Sequence, residues 1–195
     1  MTKELKKENA NKIKDLFPKM KKVIEDRTFT QFDYTVDGKE LEGCFASVLM
    51  NESLLNYYES GSHGSVDFDS ECGRISCKTG SIDRNGILII SGPRCQTIIK
   101  SGGEIGLKKY LTNKVPNDCD FCILRPHRGE VSEGIYLIDN QIFKPIGGKW
   151  TKLPNRNGRL TIKYESTKIK LQIMETNSQQ AFWYYNWEYF KSRCY

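Results

Sequence analysis

Val66-Asp-Phe-Asp-Ser-Glu-Cys-Gly-Arg-Ile-Ser-Cys-Lys78 reads as two short strands that meet at Gly73. Strand side chains alternate between faces, so Val66 and Phe68 point one way and Asp67 and Asp69 the other. In the second run Ile75 and Cys77 oppose Ser76 and Lys78. A hairpin of this pattern sets two carboxylates beside a lysine, with apolar side chains packed behind them. That combination suits a divalent cation and an activated water acting on a phosphodiester.

On the N-terminal side, residues 41–58 carry Leu41, Phe45, Val48, Leu49, Leu55 and Tyr58 at helical spacing, and the spacing predicts one helix that faces a core. A polar glycine loop, Ser60–Ser65, joins it to the hairpin. Further upstream, residues 3–25 are expected as an amphipathic helix that Pro18 kinks or divides. Thr28–Val36 is expected as a strand ended by the turn signal Asp37-Gly38. Downstream, Lys78-Thr-Gly-Ser is expected to close the second strand of the hairpin. Ile87–Ile90, Phe121–Leu124 and Gly134–Ile138 read as buried strands, with a short helix over 103–113 between the first two. The remainder is β-like. The element order implies an α/β (α+β) domain: a central mixed β-sheet flanked by helices, with a β-rich C-terminal part.

Composition bounds the function. A chain of 195 residues with 38% hydrophobic content supports one domain with a real core. We read residues 1–40 as an N-terminal helical region, 41–140 as the core and 141–195 as the β-rich part. No apolar run is long enough to span a bilayer, and the N-terminus lacks a signal-type apolar region. With seven cysteines, an odd number, the expectation is a reducing cytoplasm and no membrane. The net charge of +6 favours a polyanionic partner. Residues 1–25 hold eight lysines against four acids, and residues 155–170 hold five cations against one acid.

The pattern Gly64-Ser-Val-Asp67, eight residues, then Ser76-Cys-Lys78 resembles the active-site motif of the PD-(D/E)xK nuclease superfamily, with type II restriction endonucleases as the nearest match. In that family a glycine-bearing loop leads into a strand with a metal-binding Asp, and a second strand carries an acid, any residue and a Lys. The order of elements over roughly 40–140 is similar, with a helix before the hairpin. Ser76 departs from the family, which usually has Glu or Asp there. The resemblance implies Asp67, Ser76 and Lys78 as the catalytic set. It implies Mg²⁺ on Asp67, with the Cys77 backbone carbonyl, Asp69, and Glu52 or Glu59 as further ligands. Double-stranded DNA would be the substrate, cut at a specific sequence by a homodimer. The alternatives are a DNA-binding or regulatory protein without cleavage activity, and a structure-specific or RNA-directed nuclease of the same superfamily.

Arginine bonds guanine edges bidentately, so Arg94, Arg125, Arg128, Arg156 and Arg159 are candidates for DNA contacts, together with His63, His127, Asn155 and Asn157. Arg125–Gly129 is expected at the edge of the sheet. Cys119-Asp-Phe-Cys122 has zinc-ligand spacing without a second pair, and reads as buried free thiols. Seven of the ten residues Ala181–Phe190 are aromatic, and these read as core or dimer-interface packing, with stacking on unpaired bases as the alternative.

Overall fold

The computed structural model describes residues 1–29, 38–58, 66–154, 159–174 and 179–195. Helix α1 (Lys3–Asp15) starts at Thr2, whose hydroxyl accepts from the Leu5 N–H, and it ends with Lys12 and Lys14 in its last turn, where cations favour the helix dipole. Leu16 separates it from α2 (Phe17–Phe29). Pro18 therefore sits in the first turn of α2, where its missing N–H costs nothing. Helix α3 (Gly38–Asn51) buries Leu41, Cys44, Phe45, Val48 and Leu49. Those positions form one stripe of a 3.6-residue repeat.

The described residues then build a single mixed sheet of 11 strands. Strand β1 (Leu55–Tyr58) pairs with β2 (Phe68–Ser70), and β2 with β3 (Gly73–Ile82), both antiparallel. The tight turn before β3 needs Gly73, whose φ of 116° is closed to most side chains. Asp83 organises the next hairpin by accepting the N–H groups of Asn85 and Ile87, and β4 (Ile87–Arg94) follows. Helix α4 (Gln96–Lys109), broken at Gly103, continues through a π-turn (Tyr110–Lys114) and a short α5 (Val115–Asp118). This crossover returns the chain as β5 (Phe121–Arg128), parallel to β3 in the register Ile75↔Phe121 to Ser81↔His127. Beyond it lie β6 (Val131–Ser132) and β7 (Tyr136–Asp139), both paired with β5. The C-terminal strands β8 (Lys149–Lys152), β9 (Ile162–Glu165), β10 (Lys170–Ile173) and β11 (Gln180–Asn186) form a meander that joins β4 through β11. A short α6 (Trp187–Lys191) ends the fold.

Alternation along β3 divides the core in two. Ile75 and Cys77 join Phe68, Phe121, Ile123 and the buried residues of α1–α3. Ile82 belongs to the opposite cluster with Leu88, Ile90, Leu107, Leu124, Trp183 and Tyr185. Ser76 and Lys78 point to that second side.

The mixed sheet with helices agrees with the expected class, and several boundaries move. The helix expected over 41–58 stops at Asn51, because Ser53 takes a left-handed conformation (φ 57°) and Leu54–Tyr58 turns back as sheet. Thr28 and Phe29 complete α2 rather than open a strand, while 30–37 and the glycine loop 60–65 lie outside the described residues. Strand β3 runs four residues past Lys78 to Ile82, and β4 runs past Ile90 to Arg94. Arg125–Arg128 lies within β5, which is not an edge strand: Arg125 and Pro126 pair with β3, His127 with both β3 and β6, and Arg128 with β6. The C-terminal β-run ends at Asn186, whose side chain accepts from the Tyr189 N–H and caps α6.

Ile123 is fully buried between the two strands that flank β5. Ile123→Ala is expected to lower unfolding free energy by about 2–5 kcal/mol in urea titrations, with an unchanged m-value.

Candidate functional site

Asp67 stands just before β2, and two contacts fasten it to β3. Its N–H donates to the Ile75 carbonyl at 3.0 Å, and its Oδ2 accepts from the Cys77 N–H at 2.6 Å. Burial pushes the carboxyl above its ordinary value, while the Cys77 N–H and the Lys78 ammonium pull the other way. Lys78 is half-buried and takes part in no hydrogen bond or ion pair among the described residues. Ser76 is 1% exposed, and its Oγ has no hydrogen-bond partner among them. The Cys119 and Cys122 thiols lie beside it, with Cys122 directly across the β3–β5 ladder. Burial pushes the Cys119 thiol to about 12 and the Cys122 thiol to about 11. Both are therefore neutral and inert, as expected of buried free cysteines.

Ser76 and Lys78 line a cavity of about 130 Å³ together with Gly92, Pro93, Asn140 and Trp183. It has room for several water molecules. Gly92 is required there, because a Cβ on it would overlap the Trp183 ring. The ring is fixed by its Nε1–H, which donates to the Phe143 carbonyl at 3.2 Å. Asn140 is fixed by donating to the Val115 and Pro116 carbonyls at 2.9 and 3.2 Å. Hydrogen bonds thus hold two of the walls in place, and among the described lining residues Lys78 is the charged group.

The other sequence-derived candidates are scattered. Asp69 is exposed, and the only side-chain charge that shifts Asp67 is that of Lys78. Glu52 is held by Lys19 of α2 at 2.6 Å. Arg94 is exposed at the end of β4, just beyond the cavity-lining Gly92 and Pro93. Arg125 and His127 share the strand parity of Phe121 and Ile123, so they project from the opposite face. Burial and the neighbouring Arg125 hold His127 below the usual histidine value. Arg128 pairs with Glu133 at 2.8 Å and donates to the Asp83 carbonyl at 3.4 Å. Arg159 is half-buried ahead of β9. Glu59, His63, Asn155, Arg156 and Asn157 lie outside the described residues.

Sequence reasoning missed Gly92, Asn140 and Trp183. Gly92 follows a buried strand and Trp183 alternates with Ala181 and Tyr185, but only the β4–β11 register brings them together. Among the described residues no three His, Cys, Asp or Glu side chains converge as a metal cage. The donors at hand are the Asp67 carboxylate and the unpartnered Ser76 hydroxyl. Mg²⁺ retains several waters and takes one or two carboxylates plus substrate phosphates, so this sparse set fits a cation completed by substrate. No protein-family model matches the chain, and no curated protein or solved structure matches it significantly.

The buried charge of Asp67 has a signature in stability. Its native pKa is raised, so between the ordinary 3.8 and the native value the folded state binds more protons than the unfolded one. Stability then falls as pH rises through that window and stays reduced above it. Asp67→Asn keeps an acceptor for the Cys77 N–H and removes the charge. It is expected to raise the urea midpoint at pH 7, with the gain shrinking as the pH is lowered through the carboxylate range. A destabilised variant at pH 7 would instead make Asp67 a structural partner of Lys78.

Proposed function

We propose that the chain is a Mg²⁺-dependent endonuclease acting on double-stranded DNA at a specific sequence, similar to type II restriction enzymes. The observation that carries this reading is a cavity lined by Ser76 and by a Lys78 that makes no hydrogen bond or ion pair among the described residues, with the desolvated Asp67 carboxylate in electrostatic reach of that lysine. A lysine with no salt bridge, within electrostatic reach of a desolvated carboxylate, is disposed to receive an anion.

In this reading Asp67 and Ser76, with the Cys77 carbonyl, would hold the cation. When bound, it would polarise the scissile phosphate and lower the pKa of a coordinated water. Lys78 stabilises charge that develops on the phosphoryl oxygens, and it is positioned for this before substrate arrives. Ser76 donates a hydrogen bond to the attacking water, since among the described residues only the Cys119 and Cys122 thiols lie beside its hydroxyl. Arg94 contacts the DNA backbone at the cavity rim, which sets register without reading sequence. Cutting both strands of a palindrome calls for a two-fold dimer. Seven free thiols suit a reducing cytoplasm. No helix among the described residues is long and apolar enough to cross a membrane.

A second reading is favoured by one observation: among the described residues no carboxylate lines the cavity itself, and Asp67 alone stands near it in electrostatic reach of Lys78. Without a second acid the chain would bind DNA and leave it intact, as a DNA-binding or regulatory protein. Plasmid digestion separates the two. Under the first reading, discrete fragments form with Mg²⁺ and vanish in EDTA. Asp67→Asn abolishes cutting, and Lys78→Ala slows it by about 10²–10³. Salt-sensitive duplex binding with no cutting in any divalent metal would establish the second. Smeared products, or a preference for branched or RNA substrates, would point to a structure-specific or RNA-directed nuclease of the same superfamily.

A further inference from the structure

The seven aromatic residues of Ala181–Phe190 divide by strand parity. Trp183 and Tyr185 lie in the core beneath β11, and Trp187 and Phe190 join them from α6. Phe182 and Tyr184 point the other way and are only half-buried.

Among the described residues, that outer surface is a stretch of sheet that no helix covers. Helices α1–α3 cover the same side of the sheet over β2, β3, β5 and β7, and their cluster includes no residue of β4, β9, β10 or β11. Cross-strand register sets Lys149, Glu165, Lys170, Tyr184 and Ile89 in one row from β8 to β4. The adjacent row holds Lys163, Gln172, Phe182 and Ser91. None of these side chains is buried. Three lysines face a single carboxylate, Glu165, which pairs with Lys163 at 2.6 Å. Lys170 lies over the Tyr184 ring at 5.2 Å, so a cation already occupies the ring's π-face.

We propose that this open face binds single-stranded nucleic acid. Two half-exposed aromatic rings on adjacent rows stack successive bases, and Lys149, Lys163 and Lys170 track the phosphates beside them. Stacking tolerates any base, because every base has a π-face, and the lysines supply the salt-dependent attraction. A duplex hides its base faces and gains nothing from the rings. The occupant is therefore unpaired strand. The site lies on the other side of the sheet from Asp67, Ser76 and Lys78 and is independent of the nuclease reading.

The test is fluorescence anisotropy of the full chain with a labelled oligo-dT of about twelve nucleotides, within the range one stacking platform covers. The expected result is saturable binding that unlabelled duplex of the same length competes for poorly. Phe182→Ala or Tyr184→Ala weakens it by roughly tenfold or more. Lys170→Glu, a surface change that leaves the core untouched, weakens it as well, whereas Lys109→Glu on α4 does not. Near-UV circular dichroism confirms that each variant is folded. Equal affinity for duplex and single strand, or insensitivity to both Lys170→Glu and the aromatic substitutions, would overturn the proposal. So would concentration-dependent dimerisation that Phe182→Ala abolishes, since the face would then be a contact between two copies. Failure to digest plasmid leaves this outcome unchanged, so the two proposals fail separately.

Discussion

The parallel seam between β3 and β5 is the constraint on which the rest of the structure depends. It runs from Ile75↔Phe121 to Ser81↔His127, and a local exchange of hydrogen bonds pins its start. The Asp120 N–H donates to the Arg74 carbonyl at 2.8 Å, and the Arg74 N–H donates back to Asp120 Oδ2 at 2.9 Å, across 46 residues of chain. A slip of one residue here would exchange the faces of every side chain on one of the strands. Ile75 and Cys77 would leave the α1–α3 core, and Ser76 and Lys78 would enter it. One register thus sets both cores and the polar cluster between them.

Within that frame the Asp67 cluster is costly by design. A half-buried carboxylate with a raised pKa and, among the described residues, a hydroxyl without a hydrogen-bond partner and a lysine without an ion pair each run against stability. Ser76 and Lys78 line the cavity and Asp67 lies in electrostatic reach of Lys78, and such costly polar groupings are found more often at functional sites than in plain packing. Cys119 and Cys122 beside it are the opposite case. Burial keeps them protonated, so their thiols serve as small apolar fillers despite the suggestive spacing.

Local periodicity carried much of the fold. The two-residue alternation of 66–78 gives the faces of β2 and β3, and the 41–49 stripe gives α3. Where the reading went astray, a single residue overrode the pattern. Ser53 adopts a positive φ and turns an apparent fifth helical turn into β1. Asn186 caps α6 inside a run whose composition looks wholly β. Arg125–Arg128 resembles an exposed loop in composition but continues β5, paired with β3 over Arg125–His127 and with β6 over His127–Arg128. The site was half legible. Asp67, Ser76 and Lys78 follow from spacing, whereas Gly92, Asn140 and Trp183 follow only from contacts between distant segments. No local signal distinguishes Gly92 from a turn glycine, because its role is to make room for a ring on another strand.

That ring also dates the site in the life of the chain. The cavity wall at Trp183 arrives on the last strand, and the Gln180 side chain that bonds the Gly92 carbonyl reaches across 88 residues. Loop closure over such a separation comes late, after the hairpins of β2–β3 and β3–β4 have formed. On a ribosome, Ser76 and Lys78 emerge and pair well before their lid of aromatic side chains has been synthesised. A newly made chain therefore carries Ser76 and Lys78 open to water, and the cavity they line is completed only when β11 locks against β4.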